Sequence, residues 1–227
     1  MRLILFLFSL CLLVSIEAFS QVGNYNYSLA LKGFTITQLP GIANQKDIQK
    51  YISNGLSGGM IKFNDNLMSY RLSGNYLNKS VAFDNNCINC DPTNGKVKDY
   101  GIKIGFEKSL NYSRIQPYFA FDLGYRYSRF TGMMNTINNQ RSIAAVNSLE
   151  DTKDGITISP VMGLRVNPID QISLFIESNL EFYYAHISQQ TITQDASAVK
   201  SLTRFNRGEL LLNPVCIGIQ LHLGNKN

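Results

Sequence analysis

Apolar and polar residues alternate with period two along most of the chain, the pattern of strands whose two faces meet different surroundings. The last segment shows it best. Val215, Ile217, Ile219, Leu221 and Leu223 share one face, and Cys216, Gly218, Gln220 and His222 share the other. In 155–167, Ile156, Ile158, Met162, Leu164 and Val166 oppose Thr157, Ser159, Gly163 and Arg165. The same alternation runs through 171–188, 114–130, 99–109 and 67–83, and more weakly through 55–63. Near the start, Tyr25, Tyr27, Leu29 and Leu31 oppose Asn26, Ser28, Ala30 and Lys32. The pattern predicts eight strands. The one local helical signal lies over 43–52, where Ile48 and Ile52 fall on one face of one or two turns.

The connections add order. Asn64-Asp65-Asn66, 110–113 and 167–170 are short and turn-like, whereas 39–54, 84–98, 131–154 and 189–206 are long and polar. Long and short alternate throughout. An antiparallel up-and-down barrel with one tight rim and one rim of loops has this spacing, and an even strand count leaves both termini at the tight rim. The expected fold is therefore an all-β, eight-stranded antiparallel up-and-down transmembrane β-barrel.

The assignment of faces decides between membrane and water. In water the apolar face would be the core; in an outer membrane it meets lipid and the polar face fills the lumen. Small and polar residues dominate the second face, and its charges nearly balance. Lys32, Lys62, Arg71, Lys103, Arg126 and Arg165 stand against Glu107, Asp122, Glu177 and Glu181. Buried charges must pair, so these ten residues form the candidate lumen charge network. Tyr76, Tyr100, Tyr125, Tyr127 and Tyr184 cluster toward the loop-bearing strand ends, where an outer aromatic girdle belongs. The rival is a soluble secreted lipocalin-like barrel that binds a ligand, whose lumen would be apolar.

Composition narrows the field further. The chain has 227 residues, of which 44% are hydrophobic and 16% charged, the latter well below the usual ~25%. Its 23 asparagines occupy many polar positions that charges leave open. A mean hydropathy of −0.07 excludes a bundle of membrane helices, yet it fits lipid-facing and polar positions interleaved and averaged. Two histidines exclude most multi-histidine metal chemistry. The net charge of +5 comes without a basic run, so nucleic acid is not an expected partner. No cofactor and no metal site are implied.

Residues 1–20 carry Arg2, an apolar Leu3–Val14 stretch and Ala18-Phe19-Ser20, the plan of a cleaved signal peptide, which leaves 21–227 as the barrel domain. In an exported chain, Cys87 and Cys90 in a polar loop are the candidate disulfide. Cys216 lies in a strand pattern and reads as packing.

From about Asn24 to Leu223 the chain resembles the small eight-stranded outer-membrane β-barrel family, the OmpA/OmpX-like group. The likeness rests on architecture and on the closing segment Asn213–Leu223, which looks like the terminal strand read by barrel-assembly machinery. It implies the outer membrane of a Gram-negative-type bacterium. Outer-membrane lipid and the assembly machinery would be partners, the loops would lie at the cell surface, and a monomer is expected. A surface ligand or envelope protein could bind through the loops in a structural or adhesive role. Eight strands leave an interior that side chains fill, so no open pore is expected. One catalytic alternative exists. His186 and Ser188, two apart on one face, resemble the His-x-Ser of lipid A deacylase barrels, but the next strand offers no acid before Glu209.

Overall fold

The computed structural model describes residues 25–42, 45–46, 48–84, 93–137, 143–194 and 199–226. The signal segment 1–20 and the Cys87/Cys90 pair lie outside the described residues. Eight strands follow in order: β1 (Tyr25–Gln38), β2 (Lys50–Asp65), β3 (Met68–Phe83), β4 (Thr93–Ser109), β5 (Ile115–Ile137), β6 (Ile143–Ile169), β7 (Ile172–Thr193) and β8 (Lys200–Lys226). Each pairs antiparallel with the next, and β1 pairs with β8 to close the ring. At the tight rim, Asn66 turns β2 into β3 with φ 53°, a left-handed conformation that asparagine tolerates well.

Burial runs opposite to that of a soluble protein. Along β4, Tyr100, Ile102, Ile104 and Phe106 are exposed while Lys103 and Glu107 point inward, Glu107 with no accessible surface at all. Along β6, Ile156, Ile158, Met162, Leu164 and Val166 are exposed around buried Thr157, Ser159 and Arg165. The outer surface of the ring is thus an apolar belt, and its inside is polar. Only a lipid surround makes such a belt favourable, and closure of the ladder leaves the sheet without a free edge strand.

The strands run further than expected. Much of 84–98, 131–154 and 189–206 belongs to β4, β5, β6, β7 and β8, so the outer connections narrow to 84–92, 138–142 and 194–199. Past the belt the wall stands in water, where apolar side chains turn inward and polar ones outward. A search for apolar residues on the lipid face loses the strand at that point, although the ladder continues. Where a helical turn is expected over 43–52, the described residues show none: Ile52 lies in β2 and 48–49 are irregular.

The wall is interrupted beside Gly33. Lys32 opposes Gly58, but Phe34 opposes Asn54, so Gly33 faces the three residues Gly55, Leu56 and Ser57. On the other side of β1, Lys32 opposes Gly218 and Phe34 opposes Ile217. Gly33 is therefore a bulge, which explains why Thr35 lies opposite buried Cys216. Bulges bend a strand and raise its twist. Here the bend carries the upper part of β2 off its neighbour: β2 pairs with β3 only from Gly58–Asn75 to Asp65–Met68. Above that fork β2 stays with β1, and Tyr76–Phe83 stay with β4.

Candidate functional site

The lumen gathers most of the chain's buried polar chemistry, stacked in layers along the barrel axis. At the tight rim, His222 on β8 bridges two hydroxyls, with Nδ1 3.0 Å from Ser28 Oγ and Nε2 2.5 Å from Ser173 Oγ. Asn64 Nδ2 donates to Ser28 Oγ over 2.8 Å, and Ser69 Oγ donates to Asn64 Oδ1 over 2.9 Å. Short hydroxyl and amide side chains around His222 let five strands converge at this end of the ring.

The second layer is ionic. Glu107 on β4 accepts from Lys62 Nζ at 2.5 Å and from Arg165, with Arg71 Nη1 at 3.4 Å. Arg71 grips Asp122 with two bonds, Nε–Oδ1 2.7 Å and Nη2–Oδ2 2.6 Å, and reaches Glu177 at 2.8 Å. Tyr118 donates its hydroxyl to Glu177 over 3.0 Å, and its ring lies under the Lys62 ammonium and the Arg165 guanidinium. Six strands therefore contribute to one knot. Isolated charges could not stay in this interior; the forked geometry of arginine lets several carboxylates share one cation.

A third layer repeats the theme. Arg126 Nε meets Asp99 at 2.9 Å, Arg126 Nη1 meets Glu181 at 2.5 Å, and Lys103 pairs with Glu181. The Tyr183 hydroxyl donates to the Arg126 backbone carbonyl over 3.2 Å. Above it, Lys153 and Glu209 pair at 2.7 Å and hold the first outer connection: Gly41 N–H donates to Glu209 over 2.9 Å, and Lys153 donates to the Gly41 carbonyl. Leu39 and Ile42 are thereby seated in the outer mouth with Val81, Phe83, Val97, Phe130 and Leu149.

Of the ten candidate network residues, nine stand in direct contact within these layers: Lys62, Arg71, Lys103, Glu107, Asp122, Arg126, Arg165, Glu177 and Glu181. Lys32 is not drawn in; it lines the cavity beside them without an ion pair among the described residues. Asp99, Tyr118, Lys153 and Glu209 join these layers from outside the ten candidates. Asp99 sits at a segment boundary, although it keeps the parity of Gly101 and Lys103. Lys153 fell in a segment read as loop, and Tyr118 is an aromatic on the polar face.

His186 and Ser188 do not form a triad with Glu209. His186 faces outward above the belt and contacts Asn206 Oδ1 at 2.8 Å, whereas the Glu209 carboxylate points into the lumen toward Lys153. Cys216 is a free, buried thiol facing the lumen. Among the described residues no cluster of His, Cys, Asp and Glu could hold a metal ion, and no helix is long and apolar enough to cross a membrane.

No family model matches the sequence, nor does any curated protein. Solved structures do align with the barrel. A major outer membrane protein from Thermus thermophilus aligns over 87% of this chain and 99% of its own at 10% identity, with a TM-score of 0.47. Ail, the attachment invasion locus protein of Yersinia pestis, aligns over 88% and 99% at 10% identity, with a TM-score of 0.43. The outer membrane protease OmpT from Escherichia coli aligns over 92% and 100% at 10% identity, with a TM-score of 0.38. Strand sidedness and site chemistry rest on this chain's own register and burial.

Proposed function

We propose that this eight-stranded outer-membrane barrel is a closed scaffold that works through its outer wall and connections, in contact with a surface ligand or an envelope partner, and neither conducts nor catalyses. The observation that carries this reading is the sealed lumen. The Lys62–Arg71–Glu107–Arg165 knot crosses the ring at membrane depth with no freely accessible charge. Opening a path through it would strand several buried ions, each at a cost of several kcal/mol. What remains for function is the water-exposed wall above the belt, where β5, β6, β7 and β8 project furthest and end in polar connections.

Planar bilayers containing the refolded barrel test the seal. The expected record is indistinguishable from bare membrane; a steady open-channel current would end the scaffold reading. The interaction arm is tested by surface cross-linking on intact cells, comparing the native chain with one whose 138–142 and 194–199 connections are replaced by Gly-Ser. Specific cross-links should vanish in the replaced chain, and an unchanged set would place the contact elsewhere. The hydrolase alternative is met by His186→Ala and Ser188→Ala with lipid A profiling. Unchanged lipid A is expected, because the histidine's partner is the neutral Asn206 amide where a triad needs a carboxylate.

A further inference from the structure

The fork between β2 and β3 leads to an unusual cavity. Below the fork the ladder is intact; above it the facing edges of β2 and β3 are not paired to each other. A cavity of about 80 Å3 lies against that gap, lined by Tyr51, Ser53 and Ser57 on one edge and Asn75, Tyr76 and Leu77 on the other. Its axial exits are filled among the described residues. Toward the tight rim lies the Arg71–Glu107–Asp122–Glu177 knot. Toward the outside lie Leu39 and Ile42 in their apolar cluster, with Tyr51 and Leu77 packed against it. The way out that remains is sideways, through the wall.

The height and chemistry of the gap specify what can use it. Tyr76, next to the fork, is the last exposed apolar residue of the β3 belt, since Asn78 and Ser80 follow on the same face. The gap therefore opens at the outer edge of the lipid belt. Its β2 lip is apolar on the outside: Leu56, at the bulge, is 74% exposed, and Ile52 is exposed beside it. Across the lips Lys79 Nζ donates to the Ile52 carbonyl over 2.6 Å.

Inside, four cations (Lys32, Arg71, Lys103 and Arg126) face four carboxylates (Asp99, Asp122, Glu177 and Glu181), and among the described residues Lys32 is the cation of the four without a direct contact. Arg71, Lys103 and Arg126 are each held by carboxylates. Lys32 lines the same cavity, half-buried, with no ion pair or side-chain hydrogen bond among the described residues. Its charge reaches Glu177 across the cavity without touching it, so its hydrogen-bond donors are available to an anion that contacts them directly.

We infer that the β2–β3 seam is a lateral binding site for an anionic single-chain amphiphile, its carboxylate head on Lys32 and its acyl chain lying out through the seam past Leu56 into the lipid belt. The cavity suits a head group with a few methylenes and waters. A whole acyl chain is too large for it, which is why the chain must remain at the lipid side.

Photolabelling in proteoliposomes tests this. The probe is a fatty acid carrying a diazirine near its carboxylate, competed by unlabelled fatty acid, by the alcohol of equal length and by the alkyl phosphate. Adducts are mapped by mass spectrometry. We expect them on Ser53–Ser57 and Asn75–Leu77, competed about tenfold better by the acid than by the alcohol, as one charge-assisted hydrogen bond predicts. Competition by the phosphate at the acid's strength would make the site a general anion seat for either head group; weaker competition marks it as a carboxylate site. Lys32→Gln should reduce labelling about tenfold with the heat-modifiable gel shift unchanged. Ser57→Phe, which fills the cavity mouth, should abolish it. Labelling spread evenly around the belt, or acid and alcohol competing alike, overturns the proposal. So does labelling that survives Lys32→Gln in the folded barrel. A conducting lumen in the bilayer assay would sink the scaffold reading while leaving this labelling pattern intact.

Discussion

The inside of the ring has two chemistries, although the same strands build both. At membrane depth the inward positions are Lys62, Arg71, Glu107, Asp122 and Glu177, and the outward ones are Ile, Leu, Phe and Tyr. In the outer mouth the inward positions are Val81, Phe83, Val97, Phe130 and Leu149, and the outward ones are polar, such as Lys96, Lys98 and Arg129. On β3 to β7 parity does not change between them, whereas bulges shift it on β1 and β8. On β4, Lys103, Gly101, Asp99, Val97 and Thr93 all keep to the inner register, and the switch from charge to hydrocarbon falls between Asp99 and Val97. What changes is the surround. Lipid outside leaves the inner face to polar groups that must pair, whereas water outside requires an apolar core. One closed sheet is thus an inverted protein below the Tyr76, Tyr100 and Tyr127 level and an ordinary soluble barrel above it, and the stacked Tyr100–Tyr127 pair, 4.9 Å between ring centres, marks the border.

Two stabilities should follow, and the lumen should be the more sensitive. Glu107→Ala removes the carboxylate shared by Lys62, Arg71 and Arg165 and leaves cations buried without it. The expected loss is about 3–5 kcal/mol, read as a lower urea midpoint for the folded gel band in detergent. A midpoint unchanged from native would show that water, not Glu107, balances these cations. Phe130→Ala attacks the other core. It should cost about 3 kcal/mol, but locally. Amide exchange should rise at Leu39, Ile42 and Leu77–Phe83, while Ile102–Phe106 at membrane depth stay protected. Equal loss of protection in both regions would mean that mouth and membrane segment unfold as one unit.

The sequence made one of these two regions easy to read. Apolar residues at every second position, interrupted by short turns on one side, announced the belt, the strand count and the sidedness, and placing Lys62, Arg71 and Arg165 on one face with Glu107 and Asp122 needed only parity. The outer wall was harder because its alternation is out of phase with the belt in chemistry though not in register. Val97 and Leu149 sit among Lys, Thr, Asn and Ser in 84–98 and 131–154, so each reads as a stray apolar residue in a loop, and Phe130 stands at the very end of its alternating segment. The fork was hidden for another reason. A bulge at Gly33 set against Gly55–Ser57 follows from how three strands meet, and a lone glycine in a weak strand pattern signals a bulge only in general terms. The placement of Gly41 between Lys153 and Glu209 likewise joins residues 112 and 168 positions apart.

The boundary can be located by a charge carried along the outer face. Ile104→Lys puts an ammonium in the middle of the belt, at a position 63% exposed to lipid, and should cost roughly 2–3 kcal/mol, within the range for a lysine near the bilayer midplane. The effect should appear in folding from urea into lipid vesicles.

Thr131→Lys is the matching change above the border. Thr131 faces outward on β5, opposite Lys96 on β4 and Glu150 on β6. If the wall there stands in water, the new ammonium keeps its hydration. It gains a screened attraction to Glu150 and loses a similar amount to Lys96, so the net change should lie within about 0.5 kcal/mol, as for surface substitutions generally. The pair is informative because both changes are to lysine, both are on the outer face and both leave the lumen untouched. Only the surround differs. A Thr131→Lys penalty approaching that of Ile104→Lys would mean that lipid covers the wall at the height of Phe130, and the apolar mouth would then need an explanation other than water outside it.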